Sequence, residues 1–127
     1  MDFQWIVIVG RVGQAPEMRY TPAGVPVTNF TVATTRRFSN GDGEAQERTT
    51  WFRVTCWRKL AEVVAQYLEK GQEVLITGTV ETNSWTDKEG SARSTLELTA
   101  REVRFGAKSG GAAKGPAPEE VAEDELL

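Results

Sequence analysis

The chain has 127 residues, with 15 Lys/Arg against 18 Asp/Glu for a net charge of −3, no histidine and a single cysteine. That length fits one domain with a real core, while the composition excludes an internal disulfide and removes the commonest general base and metal ligand. Cys56 has no CxxC partner for a zinc site, no apolar run reaches membrane-spanning length, and residues 1–10 carry no signal-peptide pattern, so a cytoplasmic protein is expected.

Residues 5–9 are apolar on both faces and end at Gly10, which predicts a first strand. A barrel strand buries one face only, so Trp5, Val7 and Val9 need a cover, most simply a second copy of the chain. Gly10 and Gly13 lack G-x-G-x-x-G spacing and read as a bend or turn; Pro16 and Thr21-Pro22-Ala23-Gly24 mark further turns. Residues 25–38, rich in Val and Thr, predict a long second strand, bent because its alternation is imperfect. Ser39-Asn40-Gly41-Asp42-Gly43 is a loop signal, so a third strand over about 47–57 returns as a hairpin.

Residues 59–68 switch to helical spacing, with Leu60, Val63, Val64, Tyr67 and Leu68 at i, i+3, i+4, i+7 and i+8, and Gly71 is expected as the C′ stop. Residues 74–80 predict a fourth strand running on towards Trp85, residues 87–90 a turn, and 94–105 a fifth strand. This order predicts an all-β fold: a five-stranded OB-fold Greek-key barrel with one short helix between strands 3 and 4. A flat α+β sheet fits the same order. The expected domains are the barrel at 1–106, a flexible linker at 107–118 without apolar periodicity, and an acidic tip at 119–127, the last two forming a disordered C-terminal tail.

The third strand carries the most informative pattern. Phe52, Val54 and Cys56 share one face by alternation and read as core, which puts Trp51, Arg53, Thr55 and Trp57 on the other. Two tryptophans flanking an arginine are poor solvent-facing residues, and suit either a covering subunit or second core, or the stacking of nucleobases between cations. Charge distribution bears on this choice. Residues 1–106 hold 13 Lys/Arg and 13 Asp/Glu, whereas 107–127 hold 2 against 5, so the whole excess of −3 belongs to the tail. Trp85 lies on a polar face by strand parity and Phe38 opens the long loop after two arginines; either could be a cap or anchor, or a stacking platform. Arg101 and Arg104 read as solvated positions.

Several segments together resemble the bacterial single-stranded DNA-binding protein family over nearly all of residues 3–106. They are Gly10-Arg-Val-Gly13-Gln-Ala-Pro-Glu-Met-Arg-Tyr20, Val27-Thr-Asn-Phe-Thr-Val-Ala-Thr34, Thr50-Trp-Phe-Arg-Val54, Trp57-Arg-Lys-Leu-Ala-Glu62, Tyr67-Leu-Glu-Lys-Gly71 and Trp85-Thr-Asp-Lys-Glu-Gly90. The resemblance implies an OB-fold, a homotetramer and single strands wrapped over aromatic and basic surfaces during replication, recombination and repair, with a nucleoid-associated location. Carried over by position, its stacking aromatics fall on Phe38, Trp51, Trp57 and Trp85, and its basic contacts on Arg19, Arg36, Arg37, Arg53, Lys59 and Lys70. Phe52 stands where the family often has a histidine, and the tip, Glu123, Asp124, Glu125, Leu126 and Leu127, departs from the common Asp-Asp-Ile-Pro-Phe ending. The acidic tip reads as a solubilising tail, as a polyanion competing with DNA for the basic groove, or as a short acidic-apolar ligand; the resemblance implies the last, recruiting replication and repair partners.

Three function classes are thereby set against one another. A non-enzymatic single-strand binder without cofactors accounts for the aromatics. A protein-assembly module related to primosome components would have lost some of them, and a nuclease would gather carboxylates for metal ions, whereas Asp42, Glu44 and Glu47 cluster only at a glycine-rich loop.

Overall fold

The computed structural model describes residues 1–108 and the backbone of Glu120–Ala122. The strands are β1 (Ile6–Val12), β2 (Glu17–Tyr20), β3 (Pro26–Ser39), β4 (Ala45–Trp57), β5 (Glu73–Thr86), β6 (Ala92–Phe105) and β7 (Glu120–Ala122), with helix α1 (Arg58–Tyr67) between β4 and β5. Pairing runs β1–β5–β6–β4–β3, and β3 returns to β1 through Arg11↔Ala33 and Val12↔Val32. That last pairing closes the sheet on itself, which decides for the barrel over the flat sheet. β4 and β6 run parallel, from Phe52↔Leu96 to Thr55↔Thr99, and the other pairings are antiparallel.

Inward residues of each strand fill the barrel: Ile8 and Val12, Phe30 and Val32, Phe52 and Val54, Ile76, Leu98 and Val103. Phe52 belongs to this core, packed inward like its register neighbours Val32 and Leu96. Helix α1 plugs one end with Leu60, Ala61 and Val64; Leu60 and Val64 belong to the stripe that the spacing predicts, Ala61 joins them, and Val63 and Tyr67 are half-buried. Val27 and Thr28 are both buried, which breaks alternation at the start of β3; Thr28 Oγ1 donates to the Ala61 carbonyl at 2.8 Å and so meets its polar need under the helix.

Three local expectations change. Residues 17–20 form a strand, β2, that pairs with β3 from Glu17↔Asn29 to Tyr20↔Pro26 although all four residues are exposed. The helix ends at Tyr67 with Leu68 as C-cap, so Gly71 is not C′; its φ of 84° serves the next turn, where its N–H donates to the Val12 carbonyl at 2.8 Å. β7 pairs with β6 from Glu102↔Ala122 to Arg104↔Glu120, inside the segment expected to be tail. The barrel's own bonding runs past residue 106: the Ala107 carbonyl accepts from Glu73 N–H at 2.9 Å and Lys108 pairs with Glu69 at 3.2 Å. The tip residues Glu123, Asp124, Glu125, Leu126 and Leu127 lie outside the described residues.

Two hairpins extend beyond the core. β3 and β4 stay in continuous register from Val27↔Trp57 to Ser39↔Ala45, and every residue from Arg36 to Ser39 is exposed. Asn40 closes that arm, its Oδ1 accepting the N–H groups of Asp42 and Glu44 at 3.0 Å each. The second arm, β5 and β6, ends at Thr86↔Ala92. Among the described residues, no helix is long and apolar enough to cross a membrane.

Candidate nucleic-acid interface

Alternation along β4 does what its sequence predicts. Phe52, Val54 and Cys56 are buried, and Trp51 and Trp57 stand outward with 55% and 36% of their surface exposed. No second core within the described residues covers them. Trp51 rests on the backbone of Gly13, because a Cβ there would lie 2.9 Å from Trp51 Cη2, closer still to Cζ3, and 2.8 Å from Thr31 Oγ1. Glycine thus leaves room for the Cζ3–Cη2 edge of the indole beside residue 13 while the ring stays open to solvent. Trp57 is fixed differently: Arg58 has φ 58°, a left-handed conformation costly for a side-chain-bearing residue, and it turns the chain from β4 into α1 directly after the tryptophan.

Arg53 stands between the tryptophans, opposite Thr31, with no side-chain partner among the described residues. An unpaired guanidinium between two exposed indoles offers charge to a phosphate and a flat donor plane to a base. Arg19, on β2, is held by Asn29, its Nη1 donating to Oδ1.

The β3–β4 arm carries a second group. Arg36 and Arg48 are direct cross-strand partners, and Phe38 sits with Arg36 5.5 Å and Arg48 6.0 Å from its ring centroid. Two like charges directly opposite cost stability unless an anion offsets them. By register this group has the parity of Thr34 and Val32, so it occupies the other ribbon face from Trp51 and Arg53. Arg37, on the Trp51 side, is paired with Glu47 at 3.3 Å. Arg48 was not legible as a site residue from the sequence; the loop length between the two strands, which sets the register, was the signal that could have found it.

Trp85 is 45% exposed on the β5–β6 arm, opposite Arg93. Asp87 organises the tip beyond it: the Arg93 guanidinium at 3.0 Å and then the Ser91 N–H at 2.8 Å hold its carboxyl below the usual 3.8. Lys59 lies in the first turn of α1, two residues after Trp57, and pairs with Glu62 at 3.4 Å, whereas Lys70 lies past the other end of the helix, one helix length of about 15 Å away. On β1, which pairs with β3 and so lies one strand from β4, Val7 and Val9 stand outward with 54% and 52% exposed, Trp5 just before the strand is 52% exposed, and Ile8 between Val7 and Val9 is buried. Among the described residues, no three His, Cys, Asp or Glu gather as a metal site.

Comparison with known proteins matches residues 3–106 to the model of the "Single-strand binding protein family". The chain belongs to that family. It is 41% identical over 108 residues to "Single-stranded DNA-binding protein 1" of Chlorobaculum tepidum, spanning 84% of this chain and 67% of the relative. It is 40% identical over 118 residues to "Single-stranded DNA-binding protein" of Caldanaerobacter subterraneus, covering 93% and 77%. A Neisseria meningitidis protein of the same description is 37% identical over 105 residues, which span 83% of this chain and 60% of the relative. In fold the chain is similar to the structure titled "Plasmodium falciparum SSB complex with ssDNA", with TM-score 0.72, 22% identity and coverage of 83% and 96%. It is also similar to a small single-stranded DNA-binding protein from Streptomyces coelicolor, with TM-score 0.69, 24% identity and coverage of 83% and 95%.

Proposed function

We propose that this chain binds single-stranded DNA largely without sequence preference and protects it during replication, recombination and repair, as a binding protein and not an enzyme. The observation that carries the reading is the pair of outward indoles, Trp51 on its glycine seat and Trp57, with the unpaired Arg53 between them. Stacking tolerates any base, since every base has a π-face, and contributes about 1–3 kcal/mol per base. Phe38 and Trp85 extend the stacking surface, and Arg19, Arg36, Arg37, Lys59 and Lys70, with Arg48 added, supply phosphate contacts. A strand passing around the β3–β4 arm meets aromatics and cations on both of its faces. A groove of duplex does not present unstacked bases to such a surface. The test is tryptophan fluorescence titrated with oligo-dT and with duplex of equal length at several salt concentrations. Strong quenching by oligo-dT alone, weakening with salt, is expected; equal response to duplex, or a flat salt response, would defeat the reading.

Self-association completes it. The outward row Trp5, Val7 and Val9 is too apolar for a free strand face, and a symmetric second copy covers it without a separate partner. The expected state is a homotetramer, and sedimentation of Val7→Asp/Val9→Asp against wild type tests it; a wild-type monomer at micromolar concentration would refute it. The domain division into barrel, linker and acidic tip, and recruitment of replication and repair proteins by Glu123, Asp124, Glu125, Leu126 and Leu127, belong to the same proposal. Equal pull-down of such partners by wild type and by Leu126→Ala/Leu127→Ala would remove the recruiting role.

A further inference from the structure

β4 runs beside β6 only as far as Thr55↔Thr99, because Arg58 then turns the chain away into α1. Past that point no strand of the barrel pairs with the outer edge of β6 among the described residues, while its other edge stays paired with β5 up to Val74↔Phe105. Alternation fixes which backbone groups this outer edge presents. The Gly106 N–H donates to the Glu73 carbonyl at 2.8 Å, on the β5 side. Counting back along β6, Arg104 faces β5, and Val103 and Phe105 turn both N–H and C=O outward. Such a row of backbone donors and acceptors is a template for another strand.

The chain itself shows that the edge takes a strand. β7 runs antiparallel along it, beside α1, from Arg104↔Glu120 through Val103↔Val121 to Glu102↔Ala122. Since Val103 turns both backbone groups outward, Val103 and Val121 are the pair that exchanges two hydrogen bonds, and the attachment centres on them. The register also displays what the edge accepts: an acidic residue opposite Arg104, a β-branched residue opposite Val103 and a small neutral one opposite Glu102. The hold is slight. Ordering three residues costs at least as much as two such bonds return, so β7 relies on its covalent tether through residues 109–119.

We propose that the outer edge of β6 at Glu102–Phe105 is a docking edge for an extended segment of a partner protein, which adds to the barrel as a strand and displaces β7. The partner segment has the chemistry that β7 displays. It places a carboxylate residue opposite Arg104, a β-branched apolar residue with a free backbone N–H opposite Val103, and a small neutral residue opposite Glu102. β7 stops opposite Arg104, so a partner segment that runs on to Phe105 gains a second two-bond pair, and this is what lets it win. The docking uses none of the aromatic or basic residues assigned above to single-strand binding, and it stands or falls independently of that reading.

The test uses the full chain, wild type and Val121→Pro, with amide hydrogen exchange read by NMR. The probe strand is a synthetic peptide of residues 118–124, Pro-Glu-Glu-Val-Ala-Glu-Asp. Proline at 121 has no N–H for the Val103 carbonyl, so Val103 should lose protection in the variant while Arg104, bonded on the β5 side, keeps it. Added peptide should restore protection of Val103 in Val121→Pro. In wild type it must outcompete a tethered strand, so the Val121 amide should be released only as the peptide approaches about millimolar concentration. The same peptide with proline in place of its valine should do neither. Equal exchange of Val103 in both chains, or a peptide that leaves Val103 unprotected in Val121→Pro, would overturn the docking edge. Val121 staying protected in wild type well above that concentration would make β7 a fixed cover, and the proposal fails. Protection of Val103 that rises with protein concentration would assign the edge to a second copy's tail and overturn the partner equally.

Discussion

Gly13→Ala is the sharpest perturbation of the stacking face, since residue 13 has no side chain of its own and lies directly beside the Trp51 ring. The new methyl would sit 2.8 Å from Thr31 Oγ1 and 2.9 Å from Trp51 Cη2, with Cζ3 closer still, so something must move. The Trp51 indole is largely in solvent and yields, and Thr31 Oγ1, which accepts the Gln14 N–H at 2.9 Å, must give by a few tenths of an ångström as well. Pushing the ring off its rotamer costs roughly 0.5–1.5 kcal/mol, and replacing glycine where φ is ordinary returns about 0.4–1 kcal/mol through the unfolded chain. Net stability should therefore change by less than about 1 kcal/mol. Affinity should not be spared, because a tilted indole loses up to the ~1–3 kcal/mol of one stacked base, about 5- to 150-fold in dissociation constant. The assay is oligo-dT titration of Gly13→Ala, Trp51→Ala and the double variant, with urea unfolding of each as the control for fold. If glycine acts through the indole, Gly13→Ala should add almost nothing in the Trp51→Ala background. Equal losses from Gly13→Ala in both backgrounds would refute the argument.

Replacing Arg48 with Thr relieves the like-charge pair with Arg36, so amide exchange across the β3–β4 arm should slow, while the log–log salt slope of single-strand binding should shrink by about 0.7 for each phosphate that Arg48 neutralises. The depressed Asp87 carboxyl contributes order to the β5–β6 tip above its ordinary 3.8, and that order is lost as pH falls further, through the lowered folded value; NMR of the Ser91 amide should follow the titration, and Asp87→Asn should abolish it. Thr28→Val keeps the shape under α1 but deletes the donor to the Ala61 carbonyl, and should cost about 1 kcal/mol in urea unfolding with oligo-dT affinity unchanged.

The barrel strands, the helix and the outward tryptophans were legible in the sequence because each is written in local alternation. Phe52, Val54 and Cys56 announce a buried face, and Trp51 and Trp57 cannot then share it. Leu60 and Val64 announce the stripe under α1 in the same way. β2 was not legible, since Glu17, Met18, Arg19 and Tyr20 bury nothing and are a strand only because β3 pairs with them. Register and closure likewise live in backbone hydrogen bonds between distant segments. Only these place Arg48 across from Arg36, put Phe38 on the other ribbon face from Trp51, and set the Trp51 indole beside Gly13. Side-chain periodicity says which way a residue points from its own strand; what it meets there is decided by which strand the barrel brings alongside.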